Sequence, residues 1–104
     1  MPKTRFEWDA AKNLANRRKH GVDFETALRV FADPFALSEQ DRVEEGEPRW
    51  QTIGLVEGRL LLLVAHTVRE DGDDETGEEV DVIRIISARK ADRRERRRYE
   101  DESR

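Results

Sequence analysis

Apolar residues repeat along this chain with two different periods, and the change from one to the other falls at Asp33-Pro34. Before it, Arg5-Phe6-Glu7-Trp8 alternates as a short strand, and Asp9 stands where a helix N-cap belongs. Ala11, Leu14, Ala15 and Arg18 follow at helical spacing, with Gly21 as a natural stop. Asp23 is placed to cap a second helix, whose Phe24, Ala27, Leu28 and Phe31 form an i, i+3, i+4, i+7 stripe aimed at a core. Pro34 ends that helix, because the residue before a proline is pushed out of the helical region.

Beyond Pro34 the period is two. Residues 35–40 read as a strand, followed by a polar, acidic loop through Pro48. Residues 49–56 and 59–69 read as two strands joined by a tight hairpin at Glu57-Gly58. Leu60 to Val64 is apolar at every position, which predicts a strand covered on both faces and central in the sheet. Residues 70–79 are too acidic and glycine-spaced to pack, and read as a loop before a last strand over 80–88. Asp92 and Glu95 then make a capping-box-like pair that opens a charged C-terminal helix. The predicted order is β-α-α-β-β-β-β-α: an α+β fold with a mostly antiparallel sheet, two N-terminal helices and a C-terminal helix.

Composition changes the picture in one respect. The charged fraction of 42% is far above the usual ~25% and would suggest disorder if the apolar residues were not gathered into periodic blocks. The 104 residues therefore read as a single domain spanning 1–104 with a heavily charged surface. The chain has no cysteine, so it offers no disulfide, thiolate metal site or cysteine nucleophile. The longest apolar run, Leu60 to Ala65, falls far short of the ~20 residues a membrane helix needs. The N-terminal Met1-Pro2-Lys3-Thr4-Arg5 carries no signal-peptide stretch, so a cytoplasmic location without membrane contact is expected. Net charge is −4, yet basic residues concentrate at 17–20 and 89–98 and acidic ones at 39–47 and 70–81. That distribution predicts a two-faced molecule able to hold phosphate on one side.

Candidate chemistry is unevenly spread. Asp71, Asp73 and Glu75 have the 1, 3, 5 spacing of a calcium loop, but Thr76 and Val82 stand where glycine and glutamate are required. A solvated hairpin loop is the better reading, and no metal or cofactor is expected. Arg17-Arg18-Lys19-His20 complements the end of the first helix, and the same residues also suit phosphate contact with an imidazole able to exchange a proton. His66 lies on the face of Leu60, Leu62 and Val64, which favours a core-edge histidine over a catalyst.

The strand Val82-Ile83-Arg84-Ile85-Ile86-Ser87-Ala88-Arg89-Lys90 is the most informative stretch. An arginine within it must be paired or line a groove. Simple alternation puts Arg84 on one face and Ser87 and Arg89 on the other, unless a bulge intervenes. In the last helix, Arg93, Arg94, Arg96, Arg97 and Arg98 surround Glu95 and Tyr99, a combination open to a solvated face or to nucleic acid.

These blocks, in this order, resemble the BrnT toxin family. The matching residues are Phe6-Glu7-Trp8-Asp9, Asn16, Lys19-His20-Gly21-Val22, Phe24, Val30-Phe31 and Asp33-Pro34. The match continues through Glu47, Arg49, Gly58 and Thr67-Val68-Arg69, and ends in Arg84 to Ala91 and Arg94 to Tyr99. The resemblance covers about residues 5–100. It implies a RelE-like α+β ribonuclease fold and inhibition by a BrnA-like, ribbon-helix-helix antitoxin. Operator DNA would then be bound only through the toxin–antitoxin complex. Two departures stand out: the 70–79 segment is longer and more acidic than the family pattern, and Asp92 replaces a small hydroxyl residue.

For a growth-arresting endoribonuclease without a metal-ligand cluster, the neighbouring 2′-OH is the expected nucleophile. The protein then stabilises phosphoryl charge and moves protons. Arg89 is the leading charge stabiliser, with Arg69 and Arg84 beside it and Arg93 in support. His20 comes first for proton transfer, then Glu95 or Tyr99. Arg17, Arg18, Lys19, Lys90, Arg93, Arg94 and Arg97 are the expected RNA contacts. The competing reading is a non-catalytic module that binds nucleic acid or the antitoxin.

Overall fold

In a computed structural model that describes residues 3–102, the two helix starts and the first stop follow from their caps. Helix α1 (Ala10–His20) begins where the Asp9 carboxylate accepts the Lys12 amide at 2.9 Å, and ends where Gly21 turns to φ +73° and donates its N–H to Arg17 O. Helix α2 (Phe24–Ala27) starts where Asp23 accepts the Thr26 amide at 2.8 Å.

The chain opens, as expected, on a strand, β1 (Lys3–Glu7), but the expected pair of N-terminal helices is corrected to one full helix and a single α turn. That turn tightens at once into a 3-10 segment, Leu28–Ala32. β-Branched Val30 and aromatic Phe31 are poor helix formers, and Asp33-Pro34 leaves no further turn. Of the expected stripe, Phe24 and Ala27 are fully buried and Leu28 and Phe31 only partly, while Val30, which the tighter 3-10 winding turns inward, is fully buried. The segment sits directly on the sheet, because a Cβ at Gly54 would lie 2.7 Å from Val30 Cβ and 2.8 Å from its carbonyl oxygen. Only glycine fits there.

Four more strands complete one sheet: β2 (Leu37–Glu44), β3 (Glu47–Val56), β4 (Leu60–Gly72) and β5 (Glu79–Lys90). Their order is β1-β5-β4-β3-β2, with β1 parallel to β5 and every other pair antiparallel. The apolar Leu60–Val64 run is in the central strand, as expected. The Glu57-Gly58 turn is also as expected, both residues having positive φ.

Two expected loops are ordered ribbons instead. The acidic stretch before Pro48 is a hairpin turning at Glu45-Gly46, with φ of 51° and 79°. The 70–79 loop shrinks to residues 73–78, because β4 runs on to Gly72 and β5 begins at Glu79. Both ribbons project beyond the core with exposed side chains on either face, so no apolar alternation marks them.

One face of the sheet is covered by α2 and the 3-10 segment, which pack Val22, Phe24, Ala27 and Val30 on Val56, Leu62, Val64, Ile85 and Ala88. The other face carries helix α3 (Arg93–Glu102) at one end only, with Tyr99 over Ile53, Leu61 and Leu63. The Asp92–Glu95 box forms as expected: each side chain accepts the other's amide, at 2.8 and 2.9 Å.

Candidate functional site

A one-residue bulge decides which side chains share the open face. Along β4, Ala65 pairs with Ser87 but His66 pairs with Ile85, so Ile86 has no counterpart. The bulge resets the alternation of β5: Arg84, Ser87 and Arg89 all lie on the face of Thr67, Ala65 and Leu63. Simple alternation had separated Arg84 from Arg89; the structure puts them together.

Helix α1 borders this face along the part of β5 that β1 does not reach. Its anchor is Asn16, whose Nδ2 donates to Ala88 O and Val22 O, each at 2.8 Å, while its Oδ1 accepts the Ala88 amide at 3.1 Å. The carboxamide thus replaces a strand partner for Ala88, beyond the last β1 pair, Glu7 with Arg84. Between α1 and the sheet lie two hollows of about 230 and 170 Å³ that share Lys12 and Ile86. One adds Lys19, His20 and Ser87; the other adds Arg84, Thr67, Arg49, Glu44, Glu45 and Glu47. Together they line a groove of mixed charge, in which Lys12, Lys19 and Arg84 stand beside Glu45, Glu47 and the Arg49–Glu44 pair.

The arginines differ in how firmly they are held. Arg69 grips Glu7 with both nitrogens, at 2.6 and 3.2 Å, and this bond above all holds the Glu7 carboxyl below its usual range. Arg84 reaches the same carboxylate only at 3.5 Å and leaves 42% of its side chain exposed in the groove. Arg89 makes a bidentate pair with Glu95 at 2.8 and 2.9 Å, which lowers the Glu95 pKa. Arg89 is therefore the firmly paired arginine, whereas Arg84 has the looser partner and faces the groove.

The remaining predicted residues divide likewise. His20 and Lys19 line the groove. Glu95 is committed to Arg89 and to the Asp92 amide. Tyr99 is on the buried face of α3, its hydroxyl 2.6 Å from Asp33 Oδ2; burial first, and then that bond, push it up to about 12. Arg17 is on another side of α1, in a hollow with Asp23 and Glu25. Arg18, Lys90, Arg93, Arg94 and Arg97 are exposed. Chain topology gathers Arg17 to His20, Lys90, Arg93 and Arg94 at the end of the sheet where β5 finishes. The acidic 70–79 ribbon tip is at the opposite end. Lys12, Arg49, Thr67 and Glu47 were not singled out for chemistry; Glu47, Arg49 and Thr67 carried only the family resemblance.

His66 is structural. Its Nε2 is 2.7 Å from Thr52 Oγ1, itself 2.7 Å from Ser38 Oγ, and its ring lies edge-on to Phe31. A neutral ring with its proton on Nδ1, toward the Thr67 carbonyl, lets Thr52 donate to Nε2 and Ser38 donate to Thr52. Burial lowers its pKa to about 4. The unfolded chain, with a histidine near 6.5, takes up a proton first, so stability is full above pH 6.5 and is lost as pH falls. Between pH 6.5 and 5 the loss should be about 2 kcal/mol. The lowered carboxylates contribute only below about 4.5. Thermal melts across that window should show the loss in the wild type and a flat profile in His66→Gln; equal slopes would refute the assignment.

A five-stranded sheet, with α2 and the 3-10 segment on one face and a charged groove beside α1 on the other, defines a small α+β protein. A family model described as ribonuclease toxin, BrnT, of type II toxin–antitoxin system matches residues 8–95. The chain belongs to the BrnT family. Its fold is similar to that of the Brucella abortus ribonuclease toxin BrnT, known from a 1.1 Å crystal structure. The two share 20% identity with a TM-score of 0.55, over 88% of this chain and 99% of the other. No curated protein sequence matches this chain. Among the described residues, no helix is long and apolar enough to cross a membrane.

Proposed function

We propose that this chain is a metal-independent endoribonuclease toxin of RelE-like type, acting in the cytoplasm and neutralised by a BrnA-like ribbon-helix-helix antitoxin. The observation that carries the reading is the groove itself, with Lys12 and Arg84 between His20 at one end and Glu47 at the other. Arg84 and Lys12 bind the scissile phosphate and stabilise the charge that grows on its oxygens. Glu47 takes the proton of the 2′-OH as it attacks phosphorus, and His20 returns one to the departing 5′-oxygen, leaving a 2′,3′-cyclic phosphate. Arg69 and Arg89 act through their pairs: Arg69 neutralises Glu7 and so leaves Arg84 available, and Arg89 ties β5 to the start of α3. Lys19, Lys90, Arg93, Arg94 and Arg97 extend the phosphate path toward the basic end of the sheet. Operator DNA is bound through the antitoxin complex.

The test is direct. The purified chain should cleave RNA in excess EDTA and leave 2′,3′-cyclic ends. Cleavage abolished by chelator and restored by magnesium would sink the mechanism. RNA binding without any cleavage would favour a non-catalytic binding module.

A further inference from the structure

One branched aliphatic side chain stands in the middle of the charged groove. Its neighbours along β5, Ile85 and Ala88, are built into the core under α2. Ile86 is half-buried and, among the described residues, belongs to neither apolar cluster. It is the residue that the bulge leaves without a counterpart on β4. The outer edge of β5 has no strand partner there either, since β1 ends at Glu7 opposite Arg84. A bulge re-aims one side chain at the cost of a local break in the ladder. Here it aims Ile86 into the groove.

Ile86 and Lys12 are the residues common to both hollows, of about 230 and 170 Å³, and each hollow has room for one base or one ribose. Of the other described side chains lining them, only Ala15 is apolar. Ile86 offers nothing to an ion, but it matches the one apolar surface that RNA presents, the face of a base. In a duplex that face is covered by stacked neighbours, so Ile86 reaches it only where two successive bases have parted. Parting is also what the chemistry needs. In a stacked A-form strand the 2′-oxygen lies off the line of the P–O5′ bond, and attack requires the step to open until the three atoms align.

We propose that Ile86 is a wedge at the cut. One base rests on it in the His20 hollow, the ribose that supplies the 2′-OH lies in the Glu47 hollow, and Lys12 spans the phosphate between them. The groove takes single-stranded RNA and rejects the duplex. Ile86 meets no reacting atom; it selects the unstacked strand and positions it. The proposal rests on the ribonuclease reading above, and its test reads binding separately from cleavage.

The probe is a labelled oligonucleotide with 2′-fluoro riboses, which cannot supply the nucleophile, used single-stranded and as a duplex with its complement. The wild type should bind the single strand about tenfold more tightly than the duplex at equal salt. Ile86→Ala should lose about tenfold on the single strand and stay within about twofold on the duplex, with an unchanged salt slope because no charge is removed. Ile86→Leu, which keeps the apolar volume, should recover most of that loss. Both variants should melt like the wild type, since Ile86 lies outside both apolar clusters. Equal wild-type affinity for the two forms would overturn the proposal, and so would wild-type binding of the single strand by Ile86→Ala. A variant that loses both forms equally, or melts early, would make Ile86 a support for the groove wall, and the wedge would fail likewise. At saturating unmodified RNA, Ile86→Ala should also cleave several-fold more slowly; an unchanged rate would put the stacked base away from the cut, against the proposal. A wild type that prefers the single strand, and loses that preference in Ile86→Ala, yet never cleaves RNA would instead defeat the toxin mechanism and leave the base platform standing.

Discussion

Arg84→Ala should lower RNA cleavage by about 10²-fold or more, the cost of removing one preorganised donor to a developing oxyanion. Its melting temperature should stay close to that of the wild type. Arg84 contributes little to the scaffold: its one ion pair is to Glu7 at 3.5 Å, and Glu7 remains neutralised by two bonds from Arg69 when Arg84 is gone. Arg89→Ala should behave in the opposite sense. It strips a bidentate partner from Glu95, whose side chain is only 18% exposed, and loosens the junction of β5 with α3. That should cost about 1–2 kcal/mol, because Arg89 is itself partly in water. Thermal melts and single-turnover cleavage on both variants separate the two roles. A fully active Arg84→Ala, beside a stable and inactive Arg89→Ala, would return the charge-stabilising role to Arg89.

The proposed exchange of roles between these arginines shows where sequence reasoning stops. Periodicity located β5 and raised the question of what its arginines do, but a bulge at Ile86 has no signature in an unbroken apolar run. A single unpaired residue is enough to bring Arg84 and Arg89 to one face. The caps were legible, because Asp9, Asp23, Gly21 and the Asp92–Glu95 pair act through local chemistry that survives in one dimension. The two charged ribbons were not. Glu45-Gly46 lacks the usual asparagine or aspartate of a tight turn, and its flanking strands have no buried face to impose alternation. The groove was half legible. His20, Lys19 and Arg84 were found as charge in unusual places, whereas Lys12, Glu47 and Thr67 look like ordinary surface residues until α1 and the β2–β3 hairpin bring them together.

Asn16 was visible only as part of the family pattern, and its structural role implies a large stability effect. Asn16→Ala should destabilise the fold by about 3–5 kcal/mol. The substitution removes three hydrogen bonds and leaves the Ala88 N–H, the Ala88 carbonyl and the Val22 carbonyl without their partner. Each such group costs about 1–3 kcal/mol when it is buried and unpaired. The sum is set toward the lower end because a water entering the space left by the carboxamide recovers part of it. For a domain with about 5–15 kcal/mol in total, that is a large share. Asn16→Asp tests the chemistry rather than the shape. A carboxylate still accepts the Ala88 amide but faces two carbonyls with no proton to donate, so at neutral pH it should be at least as damaging as alanine. Lys12, Lys19 and His20 reach the groove from α1, so both variants should also lose cleavage at temperatures where they remain folded. Denaturant melts decide the matter: an Asn16→Ala within 1 kcal/mol of the wild type, or an Asn16→Asp more stable than Asn16→Ala, would show that Asn16 is not what holds α1 to β5.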